Sequence, residues 1–173
     1  MSKIILCALS LCLLGGATRA HVTASPDQAP PDSYVRVHFV VAHGCDGSPT
    51  VAIRIRLPAE VLFAKPQAKP GWQIEIRKAP LAAPVSAGHG RATGERVVEI
   101  EWRGGKLDDA FYDEFALSLR TPEGGDRTLW FPVTQICEKG SLEWVQIPAQ
   151  TQKWGDVPHP APYIRLLPGP AKD

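Results

Sequence analysis

A histidine placed directly after a run of small residues opens a route to metal chemistry. His21 follows "GGATRA" in the stretch "GGATRAHVTASP", residues 15–26. If the chain is cut after Ala20, the α-amino group and the imidazole Nδ1 of one residue close a six-membered chelate ring on a metal ion. The adjacent peptide nitrogen or a nearby carboxylate can fill a further equatorial place. Such a nitrogen-rich, roughly square donor set suits Cu(II) above the other first-row divalent ions. Model α-amino groups titrate near about 7.7–8.0, so at neutral pH copper displaces only a weakly held proton there. The ring cannot close while anything precedes His21, which would tie metal binding to processing.

What precedes His21 supports a cut. "MSKIILCALSLCLLGGATRA" has Lys3, an apolar run from Ile4 to Leu14, then small residues with Thr18 and Ala20 before the break. This is the three-part pattern of a secretory signal peptide over residues 1–20. The apolar run is shorter than the roughly twenty residues a spanning helix needs, so no bilayer span is expected in the mature chain. A periplasmic or secreted location follows. Lys3 and Arg19 leave with the signal, and the full chain carries 19 basic against 18 acidic residues, so the mature protein is close to neutral. With no basic stripe or acidic tail, nucleic acid and anionic membrane surfaces are not expected partners.

The chain has four cysteines, and Cys7 and Cys12 depart with the signal. The remaining pair, Cys45 and Cys137, fits one structural disulfide in an oxidising compartment. It would close a loop of about ninety residues, worth about 4–5 kcal/mol in the chain-entropy model. The alternative, two thiolate metal ligands, lacks a CxxC spacing. The single Met is the initiator, so no mature thioether is present for Cu(I) or for a blue-copper axial position. No Gly-rich nucleophile turn, Walker loop or dinucleotide loop appears.

Alternation with period two dominates from residue 34 onward, which is a strand signal. "YVRVHFVV" sets Val35, Val37, Phe39 and Val41 on one face, and "VAIRIRLP" sets Val51, Ile53, Ile55 and Leu57. Ile74 and Ile76, then Val98, Ile100 and Trp102, repeat the pattern, followed by "FALSLR", "TLWFPV" and "LEWVQI". Gly44 to Pro49, Pro70-Gly71, Gly104-Gly105, Gly124-Gly125 and Lys139-Gly140 supply the turns. The expectation is an all-β, two-sheet antiparallel sandwich of immunoglobulin or cupredoxin type spanning residues 21–148. Residues 79–95 read as a flexible hairpin loop, and residues 149–173 as a Pro-rich C-terminal strap.

Several longer stretches carry a family likeness. They are "HVTASPDQAPPDSYVRVHFVVAHGCDGSPTVAIRIRLPAEV", "AKPQAKPGWQIEIRK", "VEIEWRGGKLDDAFYDEFALSLRTPEG" and "LWFPVTQICEKGSLEWVQIP". Together, from His21 to about Pro148, they resemble the YcnI-like copper-binding domain family. The resemblance implies an exported β-sandwich holding one Cu(II) at the mature N-terminus, with a carboxylate ligand and a Trp close over the metal. His21 matches the chelating residue and Trp144 the Trp. Where the family places its acidic residue this chain reads "AHGCDGSPT", with Cys45 in the acidic position. Asp46 is the favoured oxygen ligand and His43 its rival, which would make a two-imidazole brace.

Other candidates read as structural. His38 lies on a polar strand face, His89 in a loop and His159 in the Pro-rich tail, while Trp72, Trp102 and Trp130 fill or cover the core. Glu114 is expected to satisfy a backbone donor rather than a metal. The functional expectation is a Cu(II) carrier or chaperone, not an enzyme, exchanging copper with exported or membrane-bound copper-transport proteins. The rivals are a histidine-brace copper oxygenase and a metal-free assembly module.

Overall fold

The computed structural model describes residues 21–88 and 91–169. The expected signal segment, with Cys7 and Cys12, lies outside the described residues, as does His89. Twelve strands and one 3-10 turn make up the described part: β1 Thr23–Ser25, β2 Gln28–Ala29, β3 Tyr34–Val41, β4 Thr50–Arg56, β5 Ala64–Pro66 and β6 Gln73–Gly88. These are followed by β7 Arg91–Leu107, β8 Asp113–Arg120, β9 Thr128–Trp130, β10 Val133–Cys137, β11 Ser141–Trp144, the 3-10 turn Trp154–Asp156 and β12 Tyr163–Leu166. One antiparallel sheet runs β1-β3-β8-β5 and a second runs β11-β10-β4-β7-β6. Their apolar faces form a sandwich core built on Phe39, Ile53, Ile55, Ile100, Trp102, Phe115, Phe131 and Trp144. The alternation in β3 and β8 is the cause: Val37, Phe39 and Val41 face Phe115, Leu117 and Leu119 through the same inward parity.

Four details depart from the sequence reading. A third, small sheet, β2-β12-β9, joins the two main ones and contains the parallel pair β2–β12. The Pro-rich tail therefore ends as a paired strand rather than as irregular chain. Residues 79–88 and 91–95 are not a loop but the outer half of a long β6–β7 ribbon, with pairs from Lys78↔Val97 to Gly88↔Arg91 and register shifts near its two prolines. Proline cannot donate to a ladder, so the ribbon tolerates Pro80 and Pro84 only with such irregularities on an edge strand. Finally, a register shift between Thr50 and Ala52 buries Ala52 in place of Val51.

The strand order matters for the site. β1 and β11 are each an edge strand, one in each main sheet. Register Thr23↔Val40 and Ser25↔His38 runs the start of the described chain alongside the end of β3. This carries His21 toward Ala42 and His43, where the chain turns from β3 to β4.

Candidate metal centre

Trp144, the last residue of β11, is 1% exposed. Its indole N–H donates to Gln135 Oε1 at 2.9 Å, and the Gln135 amide donates to His43 O at 2.6 Å and to Thr50 Oγ1 at 2.8 Å. Gln135 itself is fully buried. A buried amide with each group partnered fixes the rotamers around it, because leaving any one unpaired costs about 1–3 kcal/mol. One side chain thus sets the indole and the β3–β4 turn relative to each other.

The turn is built for rigidity. Cys45 and Ser48 exchange both backbone hydrogen bonds, at 3.0 and 2.9 Å, around Asp46 and Gly47 with φ of 49° and 81°. Positive φ at both central positions is what a type I′ turn requires, and Asp-Gly is a favoured pair for it. Gly44 accepts no side chain, since a Cβ there would lie 2.0 Å from Ser48 O. Its N–H donates to Asp109 Oδ1 at 2.8 Å. The disulfide Cys45–Cys137 ties this turn to the end of β10 with Cα atoms 6.0 Å apart, inside the range expected of a bridge.

Three imidazole rings approach the Trp144 indole, all edge-on. His21 lies at 5.8 Å between ring centroids, His43 at 6.2 Å and His159 at 5.1 Å. His43 Nδ1 is within hydrogen-bond distance of Gly44 O, which as an acceptor selects the Nδ1–H tautomer. His21 also packs edge-on against Trp154, at 5.0 Å, and the Trp154 indole donates to Ala161 O at 2.8 Å. The site therefore sits where edge strands β1 and β11 approach, with the 145–162 segment across it.

Of the sequence-derived candidates, His21, His43 and Trp144 are brought together. Asp46 is not: it is exposed at the tip of its turn, and its residue type is accounted for by φ of 49°. No group of three or more His, Cys, Asp and Glu side chains placed to hold a metal is present among the described residues. His38 and Glu114 pair with each other at 2.9 Å between β3 and β8, in a separate cleft with Lys69 and Asp113. Trp102 is in the core, Trp72 packs on Phe115 at 5.0 Å, and Trp130 covers Tyr163 at 5.4 Å.

Sequence reasoning missed Gln135, Trp154 and His159. Gln135 had a signal: it is the polar residue at an inward position of "VTQIC", between Val133 and Cys137. His159 and Trp154 had none, because a Pro-rich segment shows no periodicity.

The fold and this aromatic cluster define an immunoglobulin-like β-sandwich with a histidine-lined edge site. The chain belongs to the family described as "Domain of unknown function (DUF1775)", a family of YcnI-like type, whose model matches residues 21–166. The match runs past Pro148 and takes in β12. A crystal structure of an uncharacterized protein from Nocardia farcinica, described as having an immunoglobulin-like fold, is similar at 25% identity and a TM-score of 0.63. The similarity covers 84% of this chain and 97% of that one. A putative membrane anchored protein from Corynebacterium diphtheriae is 13% identical with a TM-score of 0.41, over 87% of this chain and 35% of that one. No curated protein matches the chain. Among the described residues no helix is long and apolar enough to cross a membrane.

Proposed function

We propose that the protein is an exported Cu(II) carrier that takes its ion at the processed N-terminus. The observation that carries this reading is the placement of His21 against the buried Trp144 indole. Cleavage after Ala20 would free an α-amino group on the residue whose imidazole already lies there, completing a two-nitrogen chelate beside the indole. The family match begins at the same residue, which supports His21 as the start of the working domain. The Cys45–Cys137 disulfide fits an oxidising, periplasmic or secreted compartment. Copper is cargo in this reading, passed between exported or membrane-bound transport proteins, and the indole shields one face of the ion. A carrier is favoured over an oxygenase because the aromatic cover limits the open coordination that dioxygen activation needs. Asp46, exposed at the tip of its turn, is left out of this donor set.

The test is paramagnetic resonance of the protein beginning at His21, titrated with Cu(II) alone, beside a form with one added residue before His21. A nitrogen-rich equatorial set and quenched Trp144 fluorescence are expected only for the first form. Equal binding by both forms would place any copper site elsewhere.

A further inference from the structure

His159 differs from every other histidine described here in one respect. Its Nδ1 is buried and has no hydrogen-bond partner. Among the described residues two other buried atoms share that state, Arg96 Nη1 and Glu99 Oε1. Glu99 Oε1, however, faces Arg77 at 3.1 Å and Arg54 at 3.6 Å, so its charge is compensated. A buried imidazole nitrogen without a partner is uncommon, because protein interiors pair nearly all of their polar groups.

The position of this nitrogen is built rather than accidental. His159 N–H donates to Gln146 Oε1 at 2.8 Å, and His159 O accepts from Val145 and Gln146 at 3.1 and 3.0 Å. Ala161 N–H returns to Gln146 O at 2.8 Å. Pro158 and Pro160 flank the residue, and a residue before proline is held to extended conformations. The strap is thus clamped to the chain leaving β11, and it carries His159 onto Trp144 and Trp154 onto His21.

We infer that His159 supplies a second imidazole to the metal held at His21, so that the C-terminal strap closes the copper site. This rests on the carrier reading above. In the Nε2–H tautomer the Nδ1 of His159 offers a lone pair to Cu(II), and binding would satisfy the atom that the fold leaves unpaired. The strap would then be ordered further by the ion it covers, and release would require it to lift.

Pulsed paramagnetic resonance, which counts equatorial imidazoles through their remote nitrogens, tests this on protein beginning at His21 with Cu(II) alone. Two imidazoles are expected in the unsubstituted protein, one in His159→Gln, and two in His43→Gln. His159→Gln should also weaken Cu(II) binding by about tenfold or more. A single imidazole in the unsubstituted protein overturns the proposal without any variant, so a poorly folded substitution cannot protect it. Loss of the second imidazole in His43→Gln instead would give the role to His43. If these results fail while an added N-terminal residue still abolishes binding, only His159 is refuted. If the added residue has no effect, the carrier reading itself falls.

Discussion

Two polar clusters on this sandwich each combine histidine with tryptophan, and they are satisfied to different degrees. Around His38 every described charge has a partner: His38 meets Glu114 at 2.9 Å, and Lys69 meets Asp113 at 2.7 Å while lying 5.0 Å over the Phe115 ring. The Trp102 indole below donates to Gln67 O at 3.2 Å. The cluster compensates its charges within itself. Around Trp144 the indole and Gln135 are equally complete, yet the imidazoles packed on them include a buried nitrogen with no partner. Histidine count does not separate the two clusters. What separates them is the buried Nδ1 of His159, which has no hydrogen-bond partner.

Adding one residue before His21 of the processed protein should break the distinction most severely. It converts the amine into an amide, and Cu(II) affinity should fall about a thousandfold or more, equivalent to ~4 kcal/mol, by competition titration. Next in size, replacing Cys45 and Cys137 together by Ala should lower stability by about 4 kcal/mol, read as a shift in denaturant midpoint, because the bridge spans a separation of 92 residues. That loss should also loosen the turn bearing His43 and reduce copper quenching of tryptophan fluorescence.

Gln135→Leu should cost about 2–3 kcal/mol, since the Trp144 N–H and the Thr50 hydroxyl would each lose a buried partner. Its emission spectrum should change even without metal, which a purely surface role would not produce. The smallest effect is expected in the satisfied cluster. Glu114→Gln breaks a half-exposed pair and should change stability by less than about 1 kcal/mol while leaving Cu(II) affinity unaltered. A marked loss of copper binding there would erase the contrast between the clusters. Asp46→Asn is expected to be similarly mild, because Asn also tolerates the positive φ that the turn imposes.

The strand faces were legible because burial in a half-exposed sheet has to repeat every second residue. Val37, Phe39, Val41, Leu117 and Leu119 follow that rule, with the small Ala116 buried beside them. The prediction failed where local irregularity intervened, as at the shift that exchanges Val51 for Ala52. It failed again in the β6–β7 ribbon, where Ala, Gly and Pro mask a pairing supported mainly by backbone bonds. Asp46 stands one residue from the expected acidic position, and the structure places it exposed at the tip of its turn. The Asp46-Gly47 pair is an equally visible turn signal, and both residues take the positive φ that such a turn needs.

By itself the sequence determined the β-sandwich and the pairing of Cys45 with Cys137, and it supplied the expectation that processing places His21 first. Each rests on information local to the chain: alternation, composition, or the pattern of a cleavage segment. Only the tertiary structure decided which histidines share one indole. His21, His43 and His159 come from three distant segments and meet at Trp144 because β1 and β11 are edge strands of opposed sheets and the strap folds back on Gln146. Contacts of that kind depend on how sheets pack and where an irregular segment returns, and no periodicity along the chain encodes either.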